Sequence, residues 1–331
     1  MPYERGELEA ITRRARPGDE ETILTPCVAP PPEGVEPGAW QAAVRARREW
    51  LHHGLASGRL RVMLALVPAQ EGPLMEYPGV GRVPVASLAH DGLIPAGIIE
   101  YAPLAHAAEP VRGGDHWIIH CMWVIPPFAR RGVGSALLTA AVRDLREDPE
   151  VAPEAGLAVV AYRGEQWWGF FDYMPEAFFA RHGFRPVDRD GSRVLMYRPV
   201  AATPMDLFER CDEPPGAGQP LYLIPPRQNL EGTGVPGTIP LPGEEAGAAR
   251  PQGTHVRFLY HSRCPAAAAV WERLKAEAGS RPGLHLEAVD TRDPGAMRWY
   301  GVANGLFVNG RLVLHKVPSP GEVRAAAGIG P

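Results

Sequence analysis

The stretch from Val124 to Leu138, V-I-P-P-F-A-R-R-G-V-G-S-A-L-L, restricts the fold of this chain more than any other. It follows an apolar run, His116 to Val124, that reads as a long strand. It leads into S-A-L-L-T-A-A-V-R-D-L-R-E, where Leu138, Ala141, Val142 and Leu145 recur at helical spacing. A strand that passes through a glycine turn into an amphipathic helix needs a sheet to cover, so a mixed α/β (α+β) layer architecture is expected. Gly132 and Gly134 remove side chains where the backbone must turn. The amides of Arg131, Gly132, Val133, Gly134, Ser135 and Ala136 then collect at a helix start, where orphan N–H donors and the positive dipole end suit a pyrophosphate.

Other phosphate cradles fit less well. A dinucleotide-binding fingerprint wants a third small residue three positions after the second glycine, and Leu137 stands there. A Walker-type loop needs Gly-Lys-Ser/Thr, which is absent.

Strands and helices alternate on both sides of this segment. Leu8 to Arg14, Leu60 to Val67, Ala96 to Tyr101, Gly156 to Tyr162 and Arg193 to Pro199 read as strands, and Trp40 to Leu55 and Tyr173 to Phe184 as helices. Between Val200 and Gly253 the chain is crowded with Pro and Gly and keeps no period, which predicts a linker over 200–254 between domains at 1–199 and 255–331. Leu221 to Pro225 is a short apolar exception, able to add an edge strand to a neighbour.

V-x-P followed by aromatic-x-R-R-G-x-G-S-x-L-L resembles the acyl-CoA signature of the GNAT superfamily of N-acetyltransferases, and the order of elements over the first 199 residues agrees. The resemblance implies a mixed sheet flanked by helices. It implies that acetyl-CoA, as co-substrate, lays its pyrophosphate on the amides from Gly132 to Ala136 and its pantetheine arm along Trp123 and Val124. The family usually places Arg or Gln three residues before the first motif glycine; here that residue is Ala129, and Arg130 or Arg131 is the substitute.

Transfer from a thioester to an amine needs a group that accepts a proton. His120, on the strand entering the loop, matches a position where family members carry Glu or His, and an imidazole titrates near working pH. Glu100 on the preceding strand is the competing base. The family's tyrosine acid, just before a Gly-Phe pair, is replaced by Phe179 in A-F-F-A-R-H-G-F, which leaves Tyr173 and Tyr162 as candidates. The aromatic run Glu165 to Pro175 can line an acceptor site through Trp167, Trp168 and Phe171, with Asp172 meeting a cationic group.

From His255 to Gly328 the predicted order β-α-β-α-β-β-α resembles a thioredoxin-like module, with Asn309-Gly310 as a type I′ hairpin turn and Ser319 as a helix cap. Cys264, in R-C-P-A, stands at a helix start where a thiol can be activated, but Ala267 occupies the place of a resolving cysteine. Joined to the first domain, the tail resembles the YoaP-like extension found on some acetyltransferases.

The chain has 331 residues, of which 45 % are apolar and 22 % charged, enough to bury two cores. A net charge of -4 gives no general attraction to nucleic acid or to an anionic membrane. No signal peptide or membrane span stands out, so a cytoplasmic location is expected. Cys27, Cys121, Cys211 and Cys264 are scattered, so neither a disulfide framework nor a metal site is expected. The reading is an N-acetyltransferase acting on a small primary amine, with oligomerisation left open. Two other readings stand beside it: a non-catalytic acyl-CoA sensor, and a thiol- or metal-binding protein acting through Cys264.

Overall fold

The computed structural model describes residues 9–27, 35–69, 74–77, 81–167, 171–201, 221–226, 253–278 and 282–328. The first body begins with β1 (Ile11–Arg14), α1 (Glu20–Leu24), α2 (Pro37–Ala56) and β2 (Arg61–Pro68). A hairpin of β3 (Leu74–Tyr77) and β4 (Gly81–Pro84) leads to β5 (Leu93–Pro103), the short β6 (Val111–Arg112) and β7 (Trp117–Val124). Next come α3 (Val133–Glu147), β8 (Gly156–Tyr162), the paired β9 (Gln166–Trp167) and β10 (Phe171–Asp172), α4 (Glu176–Arg181), β11 (Arg185–Asp190) and β12 (Arg193–Pro199).

Seven of these strands form one sheet in the order β1-β2-β5-β7-β8-β12-β11, and its β7–β8 pair is parallel while its other neighbours are antiparallel. Each face has its own cover. Leu137, Leu138, Ala141 and Leu145 of α3, with Phe179 of α4, pack on Ile99, Ile119 and Val159. On the opposite face Leu51 of α2 and Ile23 and Leu24 of α1 pack on Val62, Leu64 and Ile98. The helix α2 starts on Glu36, whose carboxylate accepts from the Ala39 N–H at 2.7 Å, with Pro37 in the first turn, where its missing donor costs nothing.

The second body is a four-stranded sheet in the order β15-β14-β16-β17, built from β14 (Thr254–Tyr260), β15 (Leu284–Asp290), β16 (Gly305–Val308) and β17 (Arg311–Leu314). Helices α5 (Pro265–Ala278) and α7 (Pro320–Ala326) contribute Val270, Leu274 and Val323 to one core, and α6 (Pro294–Tyr300) contributes Ala296 and Tyr300 to the other. The β16–β17 hairpin turns on Asn309 (φ 49°) and Gly310 (φ 83°), the two positive φ values that the Asn-Gly pair predicts. Ser319 and Glu322 form a reciprocal capping box on α7.

The two bodies are packed together. Val35 and Trp40, the latter on α2, bury Ala269 of α5. Lys316 reaches Glu165 at 2.8 Å, Ser192 meets His315 at 2.9 Å, and Arg193 donates to the Gly301 carbonyl at 3.1 Å. In the proline-rich connection, β13 (Tyr222–Leu223) pairs with β6, so the apolar exception at Leu221 to Pro225 adds a short strand to the first body.

One helix is shorter than its pattern. Tyr173 to Phe184 was expected to be helical throughout, yet α4 begins at Glu176. Met174 takes a φ of 43°, and the residue before Pro175 is barred from helical geometry. The strand β11 has no clean alternation in its sequence and only partial burial, which hid it.

Candidate functional site

β7 and β8 are paired only at Trp117–Leu157, Ile118–Ala158 and Ile119–Val159. Beyond Ile119, β8 continues along β12 and β7 continues along β5, and the two part. Parallel neighbours that separate leave one edge of each strand's backbone without a ladder, open to another extended chain. Trp123 and Val124 lie on β7 beyond this point, and both are half-buried. The indole of Trp123 donates to the Pro26 carbonyl at 3.1 Å, which ties the open strand to the loop after α1.

The loop after β7 delivers the chain to α3 through Arg130 (φ 60°) and Gly132 (φ 84°), with Gly132 the residue before the helix. Val133, Gly134 and Ser135 form the first turn of α3, so their N–H groups have no carbonyl four residues back within the helix. Ala136 does have one: its N–H donates to the Gly132 carbonyl at 2.9 Å. The Ala136 amide, expected in the cradle, thus donates within the helix. Gly134 faces Met122 and Phe178, and the Ser135 hydroxyl meets His182 at 3.0 Å. Arg130 is exposed and Arg131 half-buried, beside the same turn.

The other side of the opening is built from side chains. In the β5–β7 register Glu100 lies opposite Cys121 and Tyr101 opposite Ile119, which makes His120 the extra residue of a bulge at the point where β7 and β8 part. Glu100 is fully buried and bound by both terminal nitrogens of Arg47 from α2, one of them at 3.2 Å. Burial opposes the Arg47 charge, but the Glu100 carboxylate more than restores it. The Arg47 guanidinium lies 5.0 Å from the centre of the Trp50 ring.

His120 is buried, and its Nε2 accepts from the Ala108 N–H at 3.1 Å. Burial drives its pKa well below 6.5, and Arg263, His261 and Arg47 push the same way. A neutral ring that accepts at Nε2 carries its proton on Nδ1. His120 therefore presents a donor, and its one lone pair is occupied, which is the geometry of a hydrogen-bonding ring more than of a free base.

The second body closes this side. Arg263, in the turn between β14 and α5, donates from Nη1 to the His120 carbonyl at 2.8 Å and pairs through Nη2 with Glu109. His261 is held well below its ordinary pKa by burial and by the guanidiniums of Arg263 and Arg47. Its ring and that of His120 lie 6.4 and 6.2 Å from the Trp50 ring. Cys264 begins α5 as a half-buried free thiol, near enough to Cys27 and Tyr173 to act on their ionisation. Burial lifts the Cys27 thiol to about 12 and the Cys121 thiol well above its ordinary value. Ala267, in the place of a resolving cysteine, is fully buried.

Tyr173 is half-buried with its ring 4.7 Å from that of Tyr162, and burial raises its hydroxyl pKa well above 10. Phe179 is fully buried between Phe178 and Phe184. Trp167 pairs with Phe171, and Asp172 with Gln166, in the β9–β10 ladder; Trp168 lies outside the described residues.

The residues that complete this side, Arg47, Trp50, Glu109, His261 and Arg263, fall outside the site expected from sequence, where Trp50 counts only toward the apolar period of α2. Arg47 left a signal. Trp40, Val44, Arg47 and Leu51 fall on one helical stripe, and a charged residue on a buried stripe requires a partner inside. Nothing local marks Arg263.

Residues 78–164 match the acetyltransferase (GNAT) family model. No curated protein matches the chain. Among solved structures, a GNAT family N-acetyltransferase (YhbS) from Escherichia coli in complex with CoA is 13 % identical, with 65 % of this chain and 89 % of that chain covered at a TM-score of 0.35. A GNAT family acetyltransferase from Brucella melitensis in complex with acetyl-CoA is 15 % identical, covering 64 % and 95 %, at 0.33. An acetyltransferase of the GNAT family from Staphylococcus aureus is 11 % identical, covering 58 % and 99 %, at 0.34. The ligands named belong to those proteins.

Proposed function

We propose that the first body is an acetyl-CoA-dependent N-acetyltransferase. One arrangement carries this reading: β7 parts from β8 directly before a left-handed glycine turn that starts α3. Strand edge and helix start thereby lie in series, one suited to the amides of a pantetheine arm and the other to a pyrophosphate. In this reading the amides of Val133, Gly134 and Ser135 receive the phosphates, Arg130 and Arg131 add positive charge, and Trp123 and Val124 offer backbone to the arm. The family match over 78–164 spans these residues and supports the assignment.

The reaction is direct attack. The amine nitrogen bonds to the thioester carbonyl carbon, the carbon–sulfur bond breaks, the amine gives up one proton, and CoA leaves as the thiol. Glu100 is assigned as proton acceptor in preference to His120, because the one lone pair of the His120 ring is taken by the Ala108 N–H, whereas each Glu100 oxygen, though paired with Arg47, has a second lone pair. A nitrogen that has begun to bond to carbon is strongly acidic, so even an ion-paired carboxylate suffices. Phe179 supplies no acid. Tyr173 or solvent protonates the departing sulfur. The small size of the acceptor is read from the burial of Glu100, His120 and Arg263 around the bulge.

The test is the pure full-length protein incubated with acetyl-CoA and a library of amines, with CoA release and acetylated products followed by mass spectrometry. Product formation that falls at least about tenfold in Glu100→Gln and far less in His120→Phe is expected. Tight acetyl-CoA binding with no product from any amine would instead favour a sensor. The C-terminal body, read as a thioredoxin-like module, is assigned in this reading to closing the acceptor side.

A further inference from the structure

Among the described residues several buried polar side-chain atoms have no partner, and three of the donors lie around Trp50 and the His261–Arg263 turn: Arg47 Nε, His120 Nδ1 and Ser262 Oγ. Their residues are only 2 %, 6 % and 9 % exposed. Arg47 and His120 both lie against the Trp50 ring, as does His261, and Ser262 stands between His261 and Arg263 in the turn that touches the His120 carbonyl. Buried polar groups are nearly always satisfied, so a group of unsatisfied donors at one place calls for an acceptor that the chain itself does not supply.

The charges around them narrow what that acceptor is. Glu100 is bound by Arg47, and Glu109 by Arg263. Asp290 accepts from the Ser262 and Arg292 amides. A second cationic group on the acceptor would find these carboxylates already engaged, whereas an oxygen-bearing anion would find a guanidinium N–H, an imidazole N–H and a hydroxyl. Two of the three come from the first body and one from the second, so the site is complete only with the two packed together.

Resting on the transferase reading above, we propose that the acceptor is an amine that also carries a carboxylate, of the amino-acid type. That carboxylate is received by Arg47, His120 and Ser262 in a chamber whose outer wall is the His261–Cys264 turn of the C-terminal body. The amine then lies toward Glu100 and the open edge of β7. The C-terminal body acts as a specificity element: Arg263 anchors its turn on the bulge, and Ser262 reads the ligand.

Binding of product-like probes tests this without requiring turnover. N-acetylated amino acids are titrated calorimetrically into the full-length protein in the presence of CoA, each against the N-acetyl amine that lacks only the carboxylate. The carboxylated member of at least one pair is expected to bind at least about tenfold more tightly. Ser262→Ala and His120→Phe, each checked for an unchanged melting profile, are expected to shrink that preference. Equal binding of the two members overturns the proposal and shows that the donors serve the acyl carbonyl common to both; failure of every probe to bind overturns it as well. Amine acetylation without preference for carboxylated acceptors overturns this inference and leaves the transferase standing. Carboxylate-selective binding with no CoA release from any amine overturns the transferase reading and leaves the chamber.

Discussion

The two sides of the opening between β7 and β8 are made of different materials. At the start of α3 the candidate contacts are backbone amides on a glycine turn, from the buried Val133 and the half-buried Gly134 and Ser135, with arginines nearby. On the α2 side they are side chains, Arg47 on Glu100 and Arg263 on Glu109 and the His120 carbonyl, buried except for the half-buried Glu109 and drawn from elements far apart in the chain. A cradle of backbone can recognise only what all carriers of a pyrophosphate share. A chamber of buried side chains can distinguish one acceptor from another, and it holds the fold together while doing so.

That difference sets the size of what mutation should do. Arg47→Ala leaves Glu100 buried without its counter-charge, and breaking such a pair costs about 3–5 kcal/mol, so equilibrium denaturation should show a loss of that order. Replacing both partners, as in Arg47→Met with Glu100→Leu, should recover most of it. An unchanged stability in the single variant would mean that the pair is not buried in solution.

Acid reports on the same side. The folded pKa values of His120 and His261 lie well below the ordinary 6.5, so below pH 6.5 the unfolded chain binds protons that the folded chain refuses. Their contribution is complete above pH 6.5 and is lost as the pH falls toward the folded values, at up to about 1.4 kcal/mol per pH unit for each ring. Denaturation midpoints measured between neutral pH and pH 5 should fall accordingly. Replacing His261 with Gln should reduce the slope, while a cradle variant should leave it alone.

At the cradle the expected costs are smaller. Gly132→Ala forces a side chain onto a φ of 84°, where no neighbour blocks it but the backbone is strained, for about 1–2 kcal/mol. Denaturation gives the cost directly, and acetyl-CoA affinity should drop with it as the turn relaxes.

The same contrast explains what the sequence disclosed. Gly132 and Gly134 between a strand and an amphipathic helix are local signals, and the structure has the strand, turn and helix where that pattern puts them. Asn309-Gly310 and Ser319 are likewise local, and both adopt the conformations that their residue types favour. The partners of Glu100 and His120 were not legible, because Arg47 lies 53 residues from Glu100 and Arg263 lies 143 from His120. Only the burial stripe of α2 hinted at the first. The late start of α4 within the Tyr173–Phe184 pattern has a local cause that is present in the sequence: Pro175 outweighs the helical period of the apolar residues around it.

Ser135→Asp separates stability from binding at the cradle. An acid in the first turn favours the α3 dipole by about 0.3–1 kcal/mol, which offsets the loss of the hydrogen bond that the Ser135 hydroxyl donates to His182 Nε2, so the fold should be little changed. The same charge faces the place assigned to the pyrophosphate. Calorimetric titration of acetyl-CoA into the wild-type protein and into Ser135→Asp is therefore the most direct test of the central claim. Saturable binding to the wild type, weakened at least about tenfold in a variant with an unchanged melting profile, is the result expected. Equal affinity in the two proteins, or no binding to the wild type, would contradict it.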